Sequence, residues 1–120
     1  MKKLQVTMAT LISVLLVSTL SACAPGKLSM DNVTAIIDTR TAEAFNKSHI
    51  VGAVNIDIEL GDFIVTAISI KKKGEIYIYG ETVEQAAQAV EYMRGLRYPN
   101  VYNLGTFADA QNVLPLGVTK

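Results

Sequence analysis

The sequence predicts an α/β domain built on a mainly parallel sheet of four to five strands flanked by helices. Two observations carry that reading. From Val33 onward, apolar runs of strand length alternate with segments of helical period. One of those runs, Ile76, Tyr77, Ile78, Tyr79, is apolar on both faces, as a central parallel strand covered on two sides must be.

Taken in order, Thr34 to Ile37 reads as the first strand, closing on Asp38. Thr41 to Lys47 is a short helix with Thr41 as its N-cap, and Ala53 to Ile56 is a second short strand. Leu60, Phe63, Ile64, Ala67 and Ile68 then fall at helical spacing and predict one buried face. Asp57, Glu59 and Asp62 belong to the loop and start of that helix, as acidic residues favour a first turn. The run Lys71, Lys72, Lys73 before Gly74 reads as a solvated turn, contact with anionic lipid being the other reading. After the central strand, Thr82 with Gln85 three residues on is a capping-box pattern. The helix it opens carries Val83, Ala86, Ala87, Val90 and Met93 inward. Val101 to Leu104 makes a last strand, and Gly105 begins a terminal loop with one helical turn before Pro115.

Ahead of the domain stands a different grammar. Lys2 and Lys3 are followed by a mostly apolar run from Leu4 to Val17 and then by small residues, the pattern of a secretory signal. A membrane span needs about 20 predominantly apolar residues, and this run is shorter and diluted by Gln5, Thr7, Thr10 and Ser13. Leu20, Ser21, Ala22, Cys23 resembles the lipobox of bacterial lipoproteins, which implies cleavage before Cys23 and lipidation of its sulfur. Ordinary cleavage after Ala24 is the competing reading, since Ala22 and Ala24 also fit the small-x-small rule. The expected organisation is a signal peptide with lipobox over residues 1–22, a lipidated cysteine and tether over 23–32, and one domain over 33–120. By the same resemblance, Ala24 after the cysteine points to the outer membrane, facing the periplasm.

Removing residues 1–22 leaves about 98 residues, enough for one modest core and too few for two domains. The full chain has 11 basic and 11 acidic residues, a balance that favours neither nucleic acid nor an acidic partner. Cys23 is the only cysteine, so no intrachain disulfide can form. Stability must come from packing.

Two blocks carry a family resemblance. Ile36, Ile37, Asp38, Thr39, Arg40, then Glu43, Phe45 and His49 to Ile56 resemble the opening of rhodanese (thiosulfate sulfurtransferase) domains, commonly I-D-V-R, E-x-F/Y, H-I-P-G-A-x-N-I. Tyr98 to Gly105 resembles the closing G-Y-x-x-V-x-x-L-x-G-G. In size, secretion and tail the chain is similar to small periplasmic rhodaneses of the phage shock protein E type. The resemblance implies the rhodanese fold. It also implies structural rather than chemical work for Asp38, Arg40, His49 and Gly52, with Asp38 and Arg40 pinning the first strand's end. Arg97 stands where relatives carry the helix-ending glycine. A non-glycine left-handed cap costs about 1 kcal/mol, so the helix is expected to end nearer Gly95.

The family's chemistry implies a cysteine in the loop between the central strand and the next helix, usually Y-C-x-x-G-x-R/S, where it carries sulfane sulfur as a persulfide. Loop amides and a helix N-terminus would lower its thiol pKa and hold an anion. Counted without gaps, that loop falls on Gly80, Glu81, Thr82, Val83, Glu84, Gln85 and Ala86, with Gly80 at the nucleophile position. A glycine can neither carry a persulfide nor attack phosphate, as the cysteine of related phosphatases would. Glu84 stands where many relatives have arginine and joins Glu81 in opposing an anion, by about 4 kcal/mol at 4 Å and an effective dielectric near 20. The plainer reading of both carboxylates is that they suit a first helical turn, with an acidic recognition patch as the alternative.

Cys23 is no substitute carrier: lipidated, its sulfur is a thioether, and unlipidated it lies on a tail with nothing to depress its pKa. His49, the lone histidine, has no second histidine or cysteine at ligand spacing, so neither metal nor cofactor is expected. Tyr77 and Tyr79 read as core, Tyr79 ending at the loop. The sequence therefore points to a membrane-anchored rhodanese-homology lipoprotein without sulfurtransferase activity, a binding module for an unidentified protein partner. The alternative is an active sulfurtransferase that uses a non-standard group.

Overall fold

The computed structural model describes residues 26–120; Cys23 and the segments expected to be a signal peptide and the start of a tether lie outside the described residues. The elements are β1 (Val33–Asp38), α1 (Ala42–Lys47), β2 (His49–Ile50), β3 (Val54–Asn55), a 3-10 turn (Ile58–Leu60) and α2 (Phe63–Ala67). They continue with β4 (Glu75–Gly80), α3 (Val83–Gly95), β5 (Val101–Thr106), α4 (Phe107–Val113) and β6 (Val118–Thr119).

Four strands form one parallel sheet in the order β3-β1-β4-β5, and β2 pairs antiparallel with β6 as a separate ribbon. The doubly apolar run does lie centrally: β4 has β1 on one side and β5 on the other. Its alternation builds two cores. Ile76 and Ile78 join Ile37, Val101, Phe63 and the inner face of α3 on one side. Tyr77 and Tyr79 join Ile36, Ile50, Ala110 and Leu114 on the other. Because the strands are parallel, their C-terminal ends share one pole of the molecule, where β4 hands over to α3 and where α4 begins.

Four expectations are corrected. The face predicted from Leu60 to Ile68 is only half formed: Phe63 and Ala67 are buried, whereas Leu60, Ile64 and Ile68 are exposed. α2 is five residues long, so a single i, i+4 pair reaches the core and the rest of the apolar spacing faces water. On α3, Ala86, Ala89, Val90 and Met93 are buried, while Ala87 and Val83 face outward. The helix ends at Gly95, and Arg97 nevertheless adopts the left-handed conformation at φ 74°. Its amide donates to the Arg94 carbonyl at 2.9 Å and that of Tyr98 to Met93 at 3.1 Å, a complete Schellman cap without glycine.

The fourth correction is the C-terminus. The last strand runs to Thr106, with Gly105 at φ 86° absorbing a register shift against β4, and a helix of seven residues follows in place of a loop with one helical turn. Thr106 and Asp109 close a capping box there: the Thr106 hydroxyl accepts from the Asp109 amide at 3.1 Å, and Asp109 Oδ2 accepts from the Thr106 amide at 3.0 Å.

Candidate functional site

The site grows out of the end of β1. Asp38, fully buried, accepts from the Arg40 amide at 2.9 Å and from Arg40 Nε and Nη2, the latter at 2.7 Å. Arg40 Nη2 also donates to the Ser48 carbonyl at 2.7 Å, and the guanidinium lies 4.2 Å from the centre of the Phe107 ring. Burial opposes the guanidinium's charge, and the Asp38 carboxylate more than offsets that, leaving the Arg40 pKa raised. Asn55 Nδ2 donates to the carbonyls of Asp38 and Arg40 at 3.1 and 2.8 Å. The pair therefore ties β1, α1, β3 and α4 together, and its cation is committed to the frame. Removing one partner of such a buried pair costs about 3 to 5 kcal/mol.

His49 and Gly52 belong to the same frame. His49 Nδ1 lies 2.8 Å from the Phe45 carbonyl, and its ring stacks on Phe45 at 3.6 Å. Gly52 takes φ 87° in the turn between β2 and β3, a conformation strained for any side chain. Tyr79 is fully buried, and its hydroxyl accepts from the Ile50 amide at 3.0 Å. Burial above all pushes its phenol pKa up, with Asp38 adding to the rise.

Gly80 is the last residue of β4 and is buried. Thr82 caps α3, its hydroxyl accepting from the Gln85 amide at 3.0 Å. The second half of the predicted capping box is diverted: Gln85 Oε1 accepts from the Glu81 amide at 2.8 Å and from the Thr39 hydroxyl at 3.3 Å. A Cβ placed on Gly80 would lie 2.6 Å from Thr39 Oγ1 and 2.7 Å from Gln85 Oε1. The Thr39 hydroxyl is itself held on the Tyr79 carbonyl at 3.0 Å. The place a side chain would take at residue 80 is thus filled by two neighbours, and one of the loop's amides is already satisfied from within.

Above this loop opens a cleft of about 420 Å³ lined by Arg40, Thr41, Ala44, Glu59, Glu81, Thr82 and Gln85. A second, of about 510 Å³, shares Glu59, Thr82 and Gln85 and adds Ile58, Glu84 and Gln88. Three carboxylates face this continuous opening, and its one cation is engaged by Asp38. Glu81 and Glu84 are both exposed, so solvent cuts their opposition to an anion to about 1 kcal/mol each at 4 Å, well below the sequence-based figure. The closed Gly80 position weighs more than the charge.

The profile of rhodanese-like domains matches residues 26–108. The chain belongs to the rhodanese-like domain family. Thiosulfate sulfurtransferase PspE of Escherichia coli K12 is 32% identical over 74 residues, spanning 61% of this chain and 70% of that protein. Among solved structures, a rhodanese-like domain from an Anabaena protein superposes with a TM-score of 0.63 at 32% identity, covering 72% of this chain and 98% of that one. An E. coli rhodanese solved with anions gives 0.58 at 29% identity, over 72% and 96%.

Within this rhodanese-like frame, the structure brings Gly80, Glu81, Thr82, Glu84 and Gln85 together at one pole, while Val83 is exposed on α3 and Ala86 is buried beneath it. His49 and Gly52 line neither cleft. Sequence reasoning gave no role to Thr39, Asn55 or Phe107. Thr39 was the most accessible of these, because it sits between two residues singled out for structure. Phe107 lay in a segment read as a loop with one helical turn.

Proposed function

We propose that this chain is a membrane-tethered rhodanese-homology module that binds a partner and does not transfer sulfur. The observation that carries the reading is the state of the Gly80 position: no side chain is present there, and Thr39 and Gln85 occupy the volume one would need. A mere loss of cysteine would leave a vacant, amide-lined anion cradle. Here the Glu81 amide is turned onto Gln85 instead. The full chain incubated with thiosulfate and cyanide should yield thiocyanate no faster than a blank without protein; turnover clearly above the blank would overturn the reading.

The alternative is that sulfur transfer, the activity in the name of the E. coli relative, continues here through another group. Against it stands the residue inventory: the chain's one cysteine is Cys23, far in sequence from the loop. The opening above the loop, with Glu59, Glu81 and Glu84 at its rim, is the face we assign to the partner.

The location we propose is the bacterial cell envelope, with lipid on Cys23 and the domain in the periplasm at the outer membrane. Three acyl chains exceed the two signals needed for stable anchoring. Replacing Cys23 by Ser should move the protein from the membrane to the soluble fraction or leave it unprocessed. Wild-type protein found soluble and beginning at Pro25 would contradict the anchor.

A further inference from the structure

The near-neutral chain is electrically polarised along its strands. At the C-terminal pole of the sheet stand Glu59, Glu81 and Glu84 around the cleft, with Asp57 capping the turn beside them at the end of β3. At the opposite pole the cations gather. The exposed run Lys71, Lys72, Lys73 forms the turn into β4, and exposed Arg97 lies in the turn between α3 and β5. Among the described residues none of these four is ion-paired; Arg94, nearby on α3, is paired with Glu91 at 3.4 Å. Lys72 Nζ lies over the Tyr98 ring at 5.3 Å, and the Tyr98 hydroxyl donates to the Ala67 carbonyl at 2.9 Å, so both basic turns share one surface. Asp31 and Glu75 are the opposing carboxylates there, and Glu75 accepts from the Tyr77 hydroxyl at 3.1 Å.

The chain enters the domain at this same pole. The Asn32 carbonyl accepts from the Glu75 amide at 2.8 Å, and the Thr34 hydroxyl donates to the Lys73 carbonyl, so the lysine turn is bonded to the start of β1. Between Cys23 and the first described residue, Gly26, lie only Ala24 and Pro25, a reach of about 10 Å when fully extended. That is close to the Debye length at physiological salt, about 8 Å, within which surface charge is felt.

We propose that the pole bearing Lys71, Lys72, Lys73 and Arg97 seats on anionic phospholipid headgroups, directing the Gly80 cleft away from the bilayer. The proposal builds on the anchor at Cys23. Position and charge agree: this basic surface lies where a short tether delivers the domain, and the acidic pole, which a negative bilayer repels, lies at the far end. Exposed Ile68, five residues before Lys73, adds an apolar side chain to the same approach.

The test adds the full chain, purified from membranes, to preformed vesicles of phosphatidylcholine alone or mixed with phosphatidylglycerol. Lysines are acylated by a water-soluble reagent and mapped by mass spectrometry. Labelling of Lys71, Lys72 and Lys73 should fall by about threefold or more in the anionic vesicles, with Lys47 unchanged and the protection lost at high salt. Equal labelling in both compositions overturns the proposal. If the chain does not float with phosphatidylcholine vesicles, the anchor reading fails separately; salt-sensitive flotation with anionic vesicles would then still support the basic surface, and its absence would overturn it. The variant Lys71→Glu, Lys72→Glu, Lys73→Glu, its fold checked by circular dichroism, should lose the dependence on lipid composition.

Discussion

At the scale of single residues, the chain solves two backbone problems in opposite ways. Gly52 and Gly105 supply positive φ where a turn and a bulge require it. Arg97 supplies it without glycine, at φ 74°, and the Schellman hydrogen bonds hold it there. Replacing Arg97 by Gly should therefore raise stability by about 1 kcal/mol, read as a shift of the urea midpoint at constant slope. A fall in the midpoint would show that the arginine makes a contact worth more than the strain. This cap also marks the limit of legibility. The sequence reading placed the helix end at Gly95 correctly and then let Arg97 escape the left-handed region, because strain cannot be weighed without the two amides that offset it. Gly80 shows the same limit: its identity was plain, but not that Thr39 and Gln85 close over it.

At the scale of elements, legibility follows how strongly each segment is fixed by its own periodicity. β4 was readable because a doubly covered strand has no polar face, and α3 because it is long. α2 was misread because its apolar spacing outlasts its five residues. α4 was read as no more than one helical turn because its start is set by a reciprocal cap between Thr106 and Asp109 rather than by a long apolar stripe. That cap predicts that Thr106→Ala will cost about 1 kcal/mol of stability. Because α4 holds Ala110 and Leu114 against Tyr77 and Tyr79, thermal unfolding should remain a single transition at lower temperature. A separate early loss of helicity would show that α4 is not part of the cooperative unit.

At the scale of the whole molecule, three tyrosines link folding to alkaline pH. Tyr77, Tyr79 and Tyr98 are buried, and burial is the first cause raising each phenol above its ordinary pKa. In the unfolded chain a tyrosine loses its proton near pH 10, whereas in the folded chain it keeps it to higher pH. The folded state then binds more protons, so this contribution is fully present below about pH 10 and is lost as pH climbs toward the raised folded values. Each tyrosine steepens the loss by up to about 1.4 kcal/mol per pH unit. Urea midpoints followed alongside phenolate absorbance should hold level to about pH 9 and fall above about 10, with the phenolates of Tyr77, Tyr79 and Tyr98 appearing only as the chain unfolds. Phenolate signal from all the tyrosines in the still-folded protein would contradict it.

The central claim is that this rhodanese-like site is closed at Gly80 as well as lacking a nucleophile, and thiocyanate formation by a graded set of variants tests it most directly. Wild type and Gly80→Cys should both stay at the blank, because a Cβ there meets Thr39 and Gln85. Gly80→Cys with Thr39→Ala and Gln85→Ala, which clears both contacts and frees the Glu81 amide, should rise above the blank, and adding Glu84→Arg should raise the rate further. Turnover by the wild-type chain, or equal rates for Gly80→Cys with and without the Thr39→Ala and Gln85→Ala pair, would contradict the account.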